Sequence, residues 1–137
     1  MPPLPWSTVN AAPTDQPCVV MASRLPLKHH RDIPAFLRRT LAIRGQLRAA
    51  PGLIGYALDA DLWHATFLTV SAWTDQSQLS AFAAADPHAG SVRQTRPHMR
   101  PSTFVTWTTT TAALPIGWED VRTRLSEQGS GQRRPDA

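Results

Sequence analysis

Residues 52–73, GLIGYALDADLWHATFLTVSAW, lie between a helix stop and a helix start, and that bracketing limits the fold more than any other feature. Pro51 disfavours helical backbone at Ala50, and Gly52 follows at once, so a preceding helix must end there. Thr74 or Asp75 opens the next segment as a helix cap. The stretch between alternates and is rich in β-branched and aromatic residues, so it reads as two strands joined around Asp59-Ala60-Asp61. Ile54, Tyr56 and Leu58 share one face of the first strand. On the second, Trp63, Phe67 and Trp73 share a face, with only Ala65, Thr69 and Ser71 between them. A packed core fills such gaps with Val, Leu or Ile, whereas large aromatics spaced by small residues also suit the wall of a hollow.

The flanking segments complete a rhythm. PCVVMASRLPL (17–27) is apolar and β-branched enough for a strand. Asp32 is a cap candidate, Pro34 suits a first helical turn, and Ile33, Phe36, Leu37, Thr40, Leu41, Arg44 and Leu47 recur at helical spacing. In TDQSQLSAFAAADPH, Leu79, Phe82 and Ala83 form a second apolar stripe, which Pro87 interrupts. HAGSVRQTRPHM reads as another helical piece before Pro97, STFVTWTTTT (102–111) as a last strand and PIGWEDVRTRL (115–125) as a short terminal helix. The order is β-α-β-β-α-β, an α+β, ferredoxin-like domain with helices on one face of an antiparallel sheet. The bare face needs cover, most simply a second copy, which predicts a homodimer. Residues 1–15 read as a flexible arm carrying Trp6, 16–126 as the domain, and 127–137 as a disordered tail.

Composition narrows the function classes. At 137 residues and 42% hydrophobic, the chain supports one ordinary core. The single Cys18 excludes an internal disulfide and a cysteine-rich zinc site, and favours a reducing compartment. The lack of a membrane-length apolar run and of a leader pattern predicts a soluble, cytoplasmic protein without a membrane span. The net charge of +4 invites a nucleic-acid partner. The arginines are scattered over a helix and a polar tail, however, with no basic cluster interleaved with aromatics, so none is expected. There is no Gly-x-Ser-x-Gly and no phosphate-cradling loop. Asp59 and Asp61 fall in a turn, which leaves little for a paired-carboxylate hydrolase. Adjacent His29 and His30 cannot easily share a metal, and no other ligand spacing occurs, so no metal is expected.

A family likeness is carried by Pro51-Gly52-Leu53-Ile54-Gly55-Tyr56, Phe67-Leu68-Thr69-Val70-Ser71-Ala72-Trp73, Ala81-Phe82 and Asp86-Pro87-His88. With Phe104, Trp107, Pro115 and Trp118, these resemble antibiotic-biosynthesis-monooxygenase-like proteins, in particular a branch that also resembles spheroidene monooxygenase. The resemblance spans about residues 17–125. It implies a dimeric α+β barrel with a pocket between each protomer's sheet and helices. The chemistry it implies includes cofactor-free oxygenation of polycyclic phenols, cyclisation of aromatic polyketides, and haem binding or degradation.

Several residues then become candidates for the site. Trp63, Phe67, Trp73 and Phe82 would line a hydrophobic pocket for an aromatic or polyene substrate; Trp73 also suits a bracket between sheet and helix. His88, beside a helix break, suits a general base or an axial haem ligand, and equally a structural hydrogen bond. Arg93 and Arg96 would meet an acidic group of the substrate or a haem propionate, or else form a solvated face. His98 is expected on the surface, and His64 on the dimer side of the sheet. The haem-degrading relatives carry a histidine where this chain has Val92. The phenol-oxygenating ones carry an Asn where this chain has Thr69, whose hydroxyl is the remaining group to polarise an oxygen. The cofactor is therefore none or haem. The expected function is a small monooxygenase-like tailoring enzyme of secondary metabolism, the alternatives being a cyclase of the same fold or a non-catalytic dimer that binds haem or another small ligand.

Overall fold

The computed structural model describes residues 6–11, 13, 15–86 and 88–133. Its elements are β1 (Ser7–Thr8), β2 (Pro17–Pro26), α1 (Ile33–Ala49), β3 (Leu53–Asp61), β4 (Thr66–Trp73), α2 (Gln76–Ala84), α3 (His88–Thr95), β5 (Thr103–Thr110) and α4 (Trp118–Arg133). The strands form one antiparallel sheet in the order β1-β3-β4-β2-β5, which is the ferredoxin-like arrangement with an added edge strand. Gly52 makes the turn into β3 with φ +80°, and a Cβ there would lie 2.8 Å from the Thr74 hydroxyl, so this position requires glycine. Asp75 caps α2 as expected, accepting from the Gln78 backbone N–H at 2.9 Å.

Several expectations are corrected. The β3–β4 turn comes later than Asp59-Ala60-Asp61, at Leu62–Ala65. Asp61 holds it, accepting from the His64 backbone N–H at 3.2 Å and pairing with His64 Nδ1 at 2.7 Å, while Ala65 takes a φ of +49°. That hydrogen bonding holds the Asp61 carboxyl below its ordinary pKa. Trp63 therefore leaves the strand and is 85% exposed, and His64 sits in the same turn, not on a sheet face.

Asp32 is not a cap. A 3-10 turn, His30–Asp32, leads into α1, and no side-chain bond from Asp32 reaches the helix backbone. The α1 stripe is also rotated: Phe36 is buried and Ile33, Thr40, Ile43 and Leu47 are half-buried, whereas Leu41 is 66% exposed and Leu37 also faces outward. Both lines obey the same helical period, and the one that meets Phe67 wins.

Two further corrections concern the chain ends. Ser7 and Thr8 pair with Tyr56 and Gly55, so part of the expected flexible arm is a sheet edge. The Trp6 indole lies over Gly55, where a Cβ would collide with it. Residues 1–5, 12 and 14 of that arm and residues 134–137 of the expected tail lie outside the described residues, as does Pro87. Downstream, α4 continues to Arg133, through much of the segment expected to be disordered.

The α4 helix also changes the cover of the sheet. Its Val121 and Leu125, with Ile116 before it, pack on Val20, Ala22, Ala57, Val70 and Ala72. Buried Asp59 is paired with Arg122, and Arg124 lies over the Trp107 ring at 4.2 Å. Helices thus lie on both faces, and the face expected to be bare is covered by the chain itself. Cys18 is buried there, and burial raises its thiol pKa.

Candidate active site

The other face of the sheet, beneath α1, α2 and α3, holds most of the candidates. Period-two alternation puts Phe67, Thr69, Ser71 and Trp73 of β4 on this side. Their neighbours in register are Leu25, Ser23, Met21 and Val19 on β2, and Ala60, Leu58 and Tyr56 on β3. The apolar side chains form two separate clusters. One centres on Phe67, stacked on Phe36 of α1 with ring centres 4.3 Å apart. The other centres on Trp73, whose ring is 5.2 Å from Phe82 of α2. Between them, the Ser23 and Thr69 hydroxyls are hydrogen-bonded across the β2–β4 pair. Ser71, next along the strand, accepts the Trp73 indole N–H at 2.9 Å. Ser23 is buried, while Thr69 is half-buried although it lies on the central strand.

Phe67 and Trp73 are themselves 0% and 1% exposed. As they stand they are packed core, sealed by Phe36 and Phe82, and no free ring surface faces a hollow. Phe82 is only half-buried. It is sandwiched between Trp73 and the His88 ring, 5.1 Å away, so Trp73, Phe82 and His88 form one aromatic column.

His88 is held firmly at the start of α3. Its backbone N–H donates to Gln46 Oε1 at 2.9 Å, and its Nδ1–H donates to the Ala83 carbonyl at 3.1 Å. A carbonyl only accepts, so the neutral ring carries its proton on Nδ1 and presents an unprotonated Nε2. Gln46 also donates to the Phe82 carbonyl at 3.1 Å, tying α1 to the break between α2 and α3. Among the described residues no hydrogen bond joins His88 to Thr69. Arg93 lies 3.8 Å from Asp86 on the surface, and Arg96 is exposed, so neither is drawn into the column. Trp63 stands apart as well: His30 Nε2–H donates to its carbonyl at 2.7 Å in the distal turn.

Two cavities flank this layer. The smaller, about 80 Å³, lies at the start of α1 and includes Asp32, Arg39, Thr95 and His98 in its lining. His98 Nδ1 is 3.2 Å from Asp32 Oδ1, Arg39 donates to the Thr95 hydroxyl at 3.1 Å, and buried Asp32 Oδ2 has no partner among the described residues. Sequence reading missed this pair because the two residues lie far apart along the chain. The larger cavity, about 270 Å³, is bounded by β1, Tyr56, Arg44 and Arg48.

Haem does not fit this arrangement at His88. Its ring face is taken by Phe82, and it borders neither of these cavities. No cluster of three potential metal ligands occurs among the described residues. No described helix is long and apolar enough to cross a membrane.

No protein-family model matches the chain, and no curated protein matches it either. Solved structures do. A Nitrosomonas europaea protein named for antibiotic biosynthesis monooxygenase superposes with a TM-score of 0.63 at 15% identity, covering 77% of this chain and 99% of its own. The chain has the fold of the antibiotic biosynthesis monooxygenases. SnoaB, a cofactor-independent oxygenase from Streptomyces nogalater, shares that fold with a TM-score of 0.54 at 17% identity, over 72% of this chain and 97% of its own. A Mycobacterium tuberculosis protein does so at 0.57 and 16% identity, over 66% and 92%. At these identities the likeness speaks for architecture, and the chemistry has to be argued from the residues.

Proposed function

We propose that this chain is a small monooxygenase-type enzyme that acts without a cofactor on a hydrophobic aromatic substrate. The observation that carries this reading is the break in the helix-side core at Ser23 and Thr69. Paired hydroxyls on two inner strands between two aromatic clusters contribute little to packing, but in this reading they would donate hydrogen bonds where an oxygen gains charge. The fold, shared with a cofactor-independent oxygenase, supports the same chemistry.

In this reading Phe82 is the movable member of the column, and its displacement admits the substrate ring beside Trp73. His88 Nε2 takes the phenolic proton, and its fixed Nδ1–H keeps that tautomer in place. The deprotonated substrate supplies electrons to dioxygen, and Thr69 donates to the oxygen on which charge develops. Arg93 and Arg96 remain at the rim. The active unit is proposed to be a cytoplasmic homodimer, with contacts outside the surface that α4 already covers.

Oxygen uptake with a panel of polycyclic phenols tests this. Uptake is expected with the unmodified chain, with a loss of roughly a hundredfold in His88→Ala. Full activity in that variant would remove His88 from the mechanism. Substrate consumed without oxygen uptake would favour the cyclase reading. A sharp Soret band on adding one equivalent of haemin, lost in His88→Ala, would favour the haem-dependent or haem-binding one.

A further inference from the structure

The larger cavity is lined by charge of one sign. Arg44 and Arg48 stand one turn apart on α1 and border it, together with Ser7, Thr8, Val9 and Tyr56. No acidic residue lines it, and neither arginine forms an ion pair among the described residues. Two guanidinium groups beside a tyrosine phenol and two small hydroxyls make a donor-rich, cationic groove suited to a carboxylate.

The outer wall of this groove is built, not incidental. Ser7 and Thr8 are in register with Tyr56 and Gly55, and the Val9 N–H donates to the Ile54 carbonyl at 2.8 Å. Asn10 Nδ2 donates to the Leu53 carbonyl at 2.8 Å and to the Ala50 carbonyl at 3.2 Å, pinning the segment across the turn after α1. The inner wall leads to the aromatic column. Tyr56 belongs to the same apolar cluster as Trp73 and Phe82, and is in register with Ser71, which accepts the Trp73 indole N–H.

We infer that the substrate is an aromatic acid, its carboxylate held by Arg44 and Arg48 in this groove and its ring system extending past Tyr56 toward Trp73. This rests on the aromatic-substrate reading above and adds the charged anchor. The anchor uses α1 and the N-terminal segment in place of Arg93 and Arg96.

Anthracene carboxylate and its uncharged carboxamide separate the two ideas, because they share a ring system and differ in charge. At low salt the carboxylate is expected to bind roughly tenfold more tightly. Arg44→Gln combined with Arg48→Gln should erase that preference, weakening the carboxylate far more than the carboxamide. Arg38→Gln, which removes one positive charge at an exposed α1 position outside the groove, should keep it. Equal binding of the two probes to the unmodified chain, or a preference that survives the double variant, would overturn the anchor and leave the aromatic site standing. A preference lost equally in Arg38→Gln would reduce it to general surface charge and overturn it too. Binding of neither probe would overturn the anchor together with the aromatic-substrate reading beneath it.

Discussion

The two faces of the sheet are built differently. Under α4 the apolar side chains form one continuous cluster, and an ion pair and a stacked arginine fasten the helix over it. Under α1, α2 and α3 the apolar side chains divide into two clusters with Ser23 and Thr69 between them. Both faces come from the same strands, so the difference is one of alternate residues. Val20, Ala22, Val70 and Ala72 point one way; Met21, Ser23, Thr69 and Ser71 point the other. A sheet that needed only stability would repeat the first pattern on both sides. The second pattern gives up continuity to place hydroxyls and a movable aromatic, and both cavities border α1 on that side.

Truncations measure the contrast most strongly. Trp73→Ala should cost about 3–5 kcal/mol in denaturant unfolding, because it removes a fully buried ring that joins sheet and α2. Leu125→Ala should cost about 2–5 kcal/mol by opening a cavity under α4. An unchanged midpoint in Leu125→Ala would show that α4 does not seal its face. The hydroxyl pair should behave oppositely. Replacing both partners with apolar groups of similar shape, Ser23→Ala with Thr69→Val, should change stability by no more than about 1 kcal/mol. A large loss would make the pair a structural element and remove the contrast.

The smallest effect is a pH dependence at the edge of the helical layer. The Ser77 hydroxyl, then the Gln78 backbone N–H, hold the Asp75 carboxyl below its ordinary pKa. A depressed folded-state pKa contributes stability above the unfolded value and loses it as the pH falls through the folded one. Asp75→Ala should therefore lower the melting temperature slightly at neutral pH. The difference should vanish below the usual carboxylate range, and a gap that persisted in acid would assign the effect to something other than the carboxylate.

Much of this was legible in the sequence, and the failures have physical causes. Pro51-Gly52 and Asp75 marked their boundaries because each acts through its own backbone or side chain. Alternation put Phe67, Thr69 and Trp73 on one face for the same local reason. Trp63 was misplaced because alternation says nothing about where a strand ends; the Asp61–His64 pairing decides that. The inward line of α1 was misassigned because Leu41 and Ile43 satisfy the helical period equally well. The cover provided by α4, the Ser23–Thr69 pair and the Asp32–His98 pair all depend on contacts between distant segments. No local pattern encodes those.

The most direct test of the functional face is the initial rate of oxygen uptake with a polycyclic phenol in the Ser23→Ala, Thr69→Val double variant. Val121→Ala, on the opposite face, serves as the reference. The hydroxyl variant should lose at least about tenfold in rate while remaining folded, and Val121→Ala should keep its rate at temperatures where it is folded. An undiminished rate in the hydroxyl variant, or an equal loss in Val121→Ala, would contradict the assignment of function to the divided face.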